Sequence, residues 1–189
     1  MSGKFEAWLV GNVLNPDGIT LLSDVVFAQA TLSSLSETGS QKLQFEESNR
    51  NGSVRSVSDP YCAGDPNVDL SGPFDCLTQI EIGAQGRRAT FEPKSNGWTG
   101  TVPSMLLDAS LRVGGMHAVP DALHVPTNIE RVVLPVGIST DSFAARGWRI
   151  SAAAPQVMGD DILAERIEVV DQSGQVQVTI EGALVTRIR

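Results

Sequence analysis

The sequence has few of the residues that mark several large classes of protein. Its 189 residues include two cysteines and two histidines. Cys62 and Cys76 form neither a CxxC pair nor a cluster with histidine, so we expect free thiols and no metal site. Basic residues number 14 against 22 acidic ones, for a net charge of −8, which argues against a nucleic-acid partner. Neither a signal-peptide pattern nor an apolar run of membrane-spanning length is present. We therefore expect a cytoplasmic protein without a membrane partner.

The residues that are present divide the chain into three parts. Hydrophobic residues make up 41% and charged residues 19%, as in a globular protein with a core. Residues 1–35 contain two β-rich runs around the turn sequence NPDG at 15–18, which predicts a hairpin. Residues 36–60 are rich in Ser, Gly, Asn and charge, and they are predicted to be a linker. Residues 61–189 are predicted to form a folded domain.

The third part combines one helix with many strands. "TQIEIGAQGRRATFEP" predicts a hairpin that turns at 84–86, and "TVPSMLLDASLRVGG", residues 101–115, predicts a short helix. Four further runs are β-rich: "NIERVVLPVG", "FAARGWRISAAAP", "DILAERIEVVD" and "QVQVTIEGALVTRIR". The turn at 171–174 joins the last two runs. An antiparallel meander curled around the helix is the arrangement that buries these elements best, which is an α+β fold.

A strand, Asx-type turn, strand pattern occurs near both ends of the chain, in "GNVLNPDGITLLSDVVFAQA" and in "IEVVDQSGQVQVTIEGALVTR". Similar hairpins indicate a duplication. Residues 1–35 are then the last hairpin of a truncated first copy, and residues 61–189 are a whole second copy.

Asp108 is an acid in the middle of the mostly apolar helix. One interpretation is a helix-surface acid that pairs with Arg112 at i+4. The other is a buried acid beside leucines, whose carboxylate is disfavoured by desolvation and whose pKa is raised. The sequence leaves both open.

Other polar and aromatic residues have simpler interpretations. Glu165, Arg166 and Glu168 are predicted to form a solvated strand face. Trp148 is predicted to lie in the core, with the wall of a tunnel as the alternative.

Three segments resemble a known family. "LSGPFDCL" at 70–77 is similar to a Tyr/His-Gly-Pro-x-Phe-Gln segment, "SMLLDASLR" at 104–112 to a Pro-x-Leu-Leu-Asp-x-x-x-Gln/His helix, and "HVPTNIERVVL" at 124–134 to a Leu-Pro-Phe-x-x-x-x-x-Val stretch. All three are found, in this order, in the dehydratase domains of polyketide synthases and of polyunsaturated fatty-acid and enediyne synthases. Those domains are double hot-dog folds, in which an antiparallel sheet wraps around a central helix. The resemblance implies that residues 61–189 are the C-terminal hot dog.

The resemblance also implies a reaction and partners. Members of that family remove water from a 3-hydroxyacyl chain carried on the phosphopantetheine of an acyl carrier protein, and they use no other cofactor. Asp108 takes the position of the catalytic acid. The matching segments place five residues at substrate-binding positions: Gly72, Pro73, Phe74, Arg112 and Pro126. The implied partners are the carrier protein and other synthase domains, and a homodimer is left open.

The departures from the family pattern bear on the same residues. The family's base lies in a His-x-x-x-Gly-x-x-x-x-Pro segment, which this chain lacks; His117 and His124 do not match it. Arg112 stands where the family has Gln or His, and it is predicted either to pair with Asp108, lowering the pKa of that acid, or to bind the phosphate of the carrier arm. Ser71 and Asp75 replace two further motif residues.

Three hypotheses follow from these observations. The first is part of a dehydratase that needs a histidine from outside this chain segment. The second is an inactive hot-dog module that holds or shapes an acyl chain. The third is a structural or dimerisation piece of a megasynthase.

Overall fold

The strands of the chain belong to two separate sheets. They are seen in a computed structural model, which describes residues 4–14, 17–33, 54–62, 70–94, 103–116, 124–135, 138 and 141–187. The chain divides into two units, residues 1–41 and residues 42–189. The smaller unit holds the antiparallel pair of β1 (Lys4–Leu14) and β2 (Thr20–Ser33). This confirms the first predicted hairpin, and Gly18 in its turn has a φ of +79°, a conformation that glycine adopts without strain. Its origin in a truncated first hot dog stays a prediction.

The described part of the larger unit contains an eight-stranded antiparallel sheet and one α-helix. Seven strands follow the order β3-β4-β5-β7-β9-β10-β6, and β8 pairs with β9 beside this path. The elements are β3 (Arg55–Val57), β4 (Leu77–Gly83), β5 (Gly86–Phe91), α1 (Ser104–Gly115), β6 (His124–Val133), β7 (Trp148–Ala153), β8 (Gln156–Met158), β9 (Asp161–Val170) and β10 (Val176–Arg187).

The helix packs against the sheet and forms one core with it. Val113 and Ala109 are fully buried in this core. The helix approaches the strands closely at its C-terminal end, because a Cβ atom built on Gly114 would overlap Cδ1 of Ile167 in β9. Only glycine fits there without displacing the isoleucine. The predicted α+β hot-dog fold, with an antiparallel sheet around a helix, is confirmed.

Two details of the strand arrangement differ from the expectation. β6 follows the helix in sequence but pairs with β10 at the edge of the sheet, so the strands after the helix are not a simple meander. Local alternation predicts a strand but not a distant partner, and this is why the pairing was missed. Residues 55–57, predicted as linker, form β3 and pair with residues 80–82 of β4. The sheet of the larger unit therefore begins before residue 61.

The predicted solvated face of β9 is wrong for Glu168. Its side chain is 1% exposed and accepts hydrogen bonds from Arg166. β9 lies inside the sheet between β7 and β10, and Ser151 and Thr179 are the cross-strand neighbours of Glu168. Because β9 is a central strand, neighbouring strands flank Glu168 on both sides. A local charge pattern does not reveal this position in the sheet. Trp148 is half-buried and packs against the core, as its core interpretation predicts.

Within the described ranges, no helix is both long enough and apolar enough to cross a bilayer.

Candidate active site around Asp108 and Arg112

Asp108 lies on the side of α1 that is least covered. Leu107 and Leu111 are half-buried on this side, whereas Leu106 and Ala109 are buried in the core. The side chain of Asp108 is 38% exposed. The helical repeat of 3.6 residues explains the arrangement, since Leu107, Asp108 and Leu111 share one stripe of the helix. A carboxyl group therefore emerges between two leucines.

Arg112 is buried one turn further along the helix and uses every nitrogen of its guanidinium group. Nε donates to Oδ2 of Asp108 at 3.0 Å, and Nη1 donates to Oδ2 of Asp59. Nη2 donates to the backbone oxygen of Phe74 at 2.7 Å. Two sulfur contacts complete the set, Nη1 to Cys62 at 3.9 Å and Nη2 to Cys76 at 3.5 Å. Arginine has five N–H donors, and all five have an acceptor here.

Asp59 anchors a short turn against this arginine. Its Oδ1 accepts the backbone N–H of Tyr61 at 3.0 Å, and its side chain is 4% exposed. The 3₁₀ turn at Pro60–Cys62 follows, and the hydroxyl of Tyr61 donates to the backbone oxygen of His124 at 2.8 Å. The Cys62 thiol donates to the backbone oxygen of Leu70 at 2.8 Å. The turn thus connects α1 with the start of β6.

The Gly-Pro-Phe segment forms a second turn on the same arginine. Gly72–Phe74 is a 3₁₀ turn, and Gly72 has a φ of +64°, which favours glycine. Pro73 follows at a position where its fixed φ suits a helical turn. Phe74 is 39% exposed, while its backbone oxygen accepts a hydrogen bond from the buried Arg112. Asp75 pairs with Lys94 just beyond the turn.

Burial is the leading electrostatic effect in the cluster. It raises the pKa of Asp108, against the opposing attraction of Arg112, and the nearby charge of Asp59 adds to the increase. The predicted pairing of Asp108 with Arg112 is confirmed, and this pairing lowers the pKa of Asp108 as predicted, but the desolvation that raises the pKa is the larger effect. Burial also raises the pKa of both Cys62 and Cys76 to about 11. Both cysteines are free, as predicted, and they are protonated at neutral pH.

The structure brings some of the predicted site residues together and separates others. Asp108, Arg112 and the Gly72–Phe74 turn form one contact network. Arg112 is buried with all its donors engaged, so its geometry does not support the predicted contact with a substrate phosphate. Pro126 is exposed on β6 opposite Val185. His124 is buried at the start of β6, and His117 lies outside the described residues.

Asp59 and Tyr61 were missed by the sequence analysis. Both lie at the border between the predicted linker and the predicted domain, where no apolar periodicity marks them. The available signal was the Asp59-Pro60 dipeptide, because Asp side chains often bond to the backbone two residues ahead in such turns. Among the described residues, no group of three or more His, Cys, Asp or Glu side chains is arranged to hold a metal ion.

Comparison with known proteins adds information at the level of the fold. The sequence matches no family model, and no curated protein matches it significantly. It is similar in structure to the dehydratase domain of PpsC from Mycobacterium tuberculosis in complex with C12:1-CoA, with a TM-score of 0.64, 17% identity, and coverage of 87% of this chain and 60% of that one. An inactive variant of the CurJ dehydratase, with phenylalanine in place of a histidine, gives a TM-score of 0.63, 17% identity, and coverage of 88% and 60%.

A third match is the enoyl-isomerase of a trans-acyltransferase polyketide synthase, with a TM-score of 0.60, 11% identity, and coverage of 98% of this chain and 81% of that one. The chain thus spans less than two thirds of the length of the two dehydratase domains. At these identities the similarity concerns the fold. The chain has the hot-dog fold of polyketide synthase dehydratase domains.

Proposed function

We propose that this chain supplies the acid half of a dehydratase that acts on a 3-hydroxyacyl chain held by an acyl carrier protein. The observation that carries the proposal is Asp108, a carboxyl group set between Leu107 and Leu111 on the least covered side of the hot-dog helix. Its raised pKa favours the protonated form that a general acid needs. The acyl-CoA complex of the PpsC dehydratase supports an acyl thioester as the class of substrate.

The reaction needs one base and one acid. The base removes the proton from the α-carbon, the α–β double bond forms, and the bond between the β-carbon and its hydroxyl breaks. The acid gives its proton to the departing hydroxyl, which leaves as water, and the product is a trans-enoyl thioester. Oδ2 of Asp108 accepts a hydrogen bond from Arg112 at 3.0 Å. Oδ1 accepts no hydrogen bond from the described residues, so it is the oxygen available to hold the transferred proton.

Arg112 acts as a positioning residue in this mechanism. It fixes Oδ2 of Asp108 and at the same time holds the backbone oxygen of Phe74. A carboxyl group held at one oxygen keeps its second oxygen in a defined direction, which proton transfer requires. Leu107 and Leu111 flank this half-buried carboxyl group, and its partial burial favours the protonated form.

The base is proposed to be a histidine from outside residues 1–189. Neither His117 nor His124 matches the family's base segment. The loss of activity in the CurJ variant with a replaced histidine supports the need for such a residue in that dehydratase. Other synthase domains are accordingly the proposed partners, together with the carrier protein.

The test is dehydration of a 3-hydroxyacyl chain on a carrier protein, followed by mass spectrometry for the loss of water. In protein that includes the histidine-bearing half, Asp108→Asn is expected to lower the rate at least about 100-fold, while the exposed-site control Asp141→Asn keeps it. An unchanged rate in Asp108→Asn contradicts the acid role. The 189-residue chain alone is expected to show no turnover, and turnover by that chain contradicts the external base.

The second candidate function is acyl binding without chemistry. The contact between Arg112 and Asp108 favours it, because this attraction opposes protonation of the acid. A 2-enoyl thioester in the same assay also reports double-bond migration, the activity named for the isomerase structure. Acyl binding with neither dehydration nor migration in the complete protein supports the second candidate, and migration without dehydration contradicts both.

A further inference from the structure

Arg87 is a second buried arginine, in contact with the C-terminal end of α1. It is the second residue of β5, is 5% exposed, and pairs across the sheet with Ile82 and Ala152, which are both buried and apolar. The alternate residues Ala89 and Phe91 are also buried in the core. Arg87 therefore lies on the helix-facing side of the sheet.

The contacts of Arg87 leave part of its guanidinium group without an acceptor. Nε donates to the backbone oxygen of Met116, just past the C-terminal end of α1, at 2.6 Å. Nη1 is buried and has no hydrogen-bond partner among the described residues. Burial lowers the pKa of Arg87, and no carboxylate among the described residues opposes this effect. The side chain nevertheless stays charged, because arginine keeps its proton in proteins.

Other arginines of the larger unit have an acidic partner. Five of them form ion pairs with Asp or Glu: Arg88, Arg112, Arg131, Arg146 and Arg166. The C-terminal end of a helix carries a partial negative charge, and Arg87 contacts this end through the backbone oxygen of Met116. This partial charge does not balance the full positive charge of the guanidinium group. Among the described residues no full negative charge balances the buried Arg87, which is costly, so the position needs a reason other than stability.

We propose that Arg87 is the centre of a binding site for a small monovalent carboxylate at the C-terminal end of α1. One buried positive charge is neutralised by one negative charge, whereas a phosphate dianion would leave an excess negative charge in an apolar surrounding. A carboxylate also matches the planar geometry of the guanidinium group. Ala84 and Gln85, in the turn between β4 and β5, are exposed and lie close to Arg87 in the sequence. This site does not depend on the proposed dehydratase function.

Thermal unfolding in sodium formate and in sodium chloride at the same ionic strength tests the proposal. At a formate concentration about tenfold above its Kd, the Tm of the wild type is expected to rise by about 3–6 °C relative to chloride. Arg131→Met, which removes an exposed arginine paired with Glu181, keeps this rise, and Arg87→Met loses it. No rise in the wild type, or an equal rise in Arg87→Met, overturns the proposal. A larger rise in inorganic phosphate than in formate overturns the monovalent carboxylate.

A second measurement avoids dependence on the folding of Arg87→Met. The Nε–H signal of Arg87 is identified by ¹⁵N nuclear magnetic resonance as the arginine signal that is missing in Arg87→Lys. In the wild type, this signal is expected to move in a saturable way when formate is added, with chloride as the control. A signal that does not move with formate overturns the proposal.

Discussion

Two carboxylates share Arg112 but occupy different surroundings. Asp59 is 4% exposed, bonds to the backbone of Tyr61, and holds a turn in place. Asp108 is 38% exposed and lies between half-buried leucines on the helix. The same cation therefore completes a structural pair on one side and holds a reactive candidate on the other. The two acids contact the same arginine but differ in the number of their other bonds and in their access to solvent.

Replacing Arg112 is expected to have the largest effect on stability. Arg112→Met leaves Asp59 buried without its cation and removes the donor to the backbone oxygen of Phe74. Loss of one partner of a buried ion pair costs about 3–5 kcal/mol. The free energy of unfolding, measured by urea denaturation, is expected to fall by that amount.

The matched control is Arg131→Met, because Arg131 and Glu181 form an exposed pair. Exposed pairs contribute about 0–1 kcal/mol. If both variants lose the same small amount, the cluster around Arg112 is not the structural pair that its burial indicates.

Asp59→Asn is expected to have the second largest effect on the free energy of unfolding. Asparagine keeps the size and can still accept the N–H of Tyr61, and Arg112 keeps Asp108 and Phe74 as acceptors. The expected loss is about 1.5–3 kcal/mol, the contribution of a hydrogen bond to a charged group. Asp75→Asn, on the exposed pair with Lys94, is the control.

The same variant also changes the acid across the arginine. The charge of Asp59 raises the pKa of Asp108, so its removal lowers that pKa. A general acid works only while it is protonated, so the fall in dehydration rate at high pH is expected to start at a lower pH in Asp59→Asn. A pH profile identical to that of the wild type would contradict the electrostatic coupling of the two acids.

The sequence predicted most of the strands, the helix and, of the two acids, Asp108. Alternation and turn residues were enough for both long hairpins and for the helix with Asp108, because these patterns are local. The pairing of β6 with β10 and the burial of Glu168 depend on contacts between distant segments. Asp59 lies 53 residues from Arg112 in the sequence, and nothing in its neighbourhood indicates that pairing. The contact of Asp59 with Arg112 could therefore not be predicted from local sequence patterns.

Tyr61→Phe tests the contact between the Pro60–Cys62 turn and β6, and its expected effect on stability is smaller. It removes the hydroxyl that donates to the backbone oxygen of His124 at 2.8 Å and accepts the N–H of His124 at 3.3 Å. We expect a loss of about 1 kcal/mol, typical of a neutral hydrogen bond. Dehydration activity is expected to persist, since Asp108 keeps its contact with Arg112. Loss of activity without loss of stability would mean that the turn acts on the substrate directly.

Asp108→Asn is expected to have the smallest effect on stability, although it is expected to have the largest effect on activity. The pKa of Asp108 is raised in the folded state. Between the ordinary pKa of an aspartate and this raised value, the folded protein keeps a proton that the unfolded chain releases, so stability falls as the pH rises through that window. Asparagine carries no such penalty. At neutral pH the Tm of Asp108→Asn is therefore expected to equal or exceed that of the wild type, and the difference is expected to vanish below the ordinary pKa of an aspartate. A Tm clearly below the wild type at neutral pH would place Asp108 with Asp59 as a structural acid, because a catalytic acid held at a raised pKa destabilises the fold that carries it.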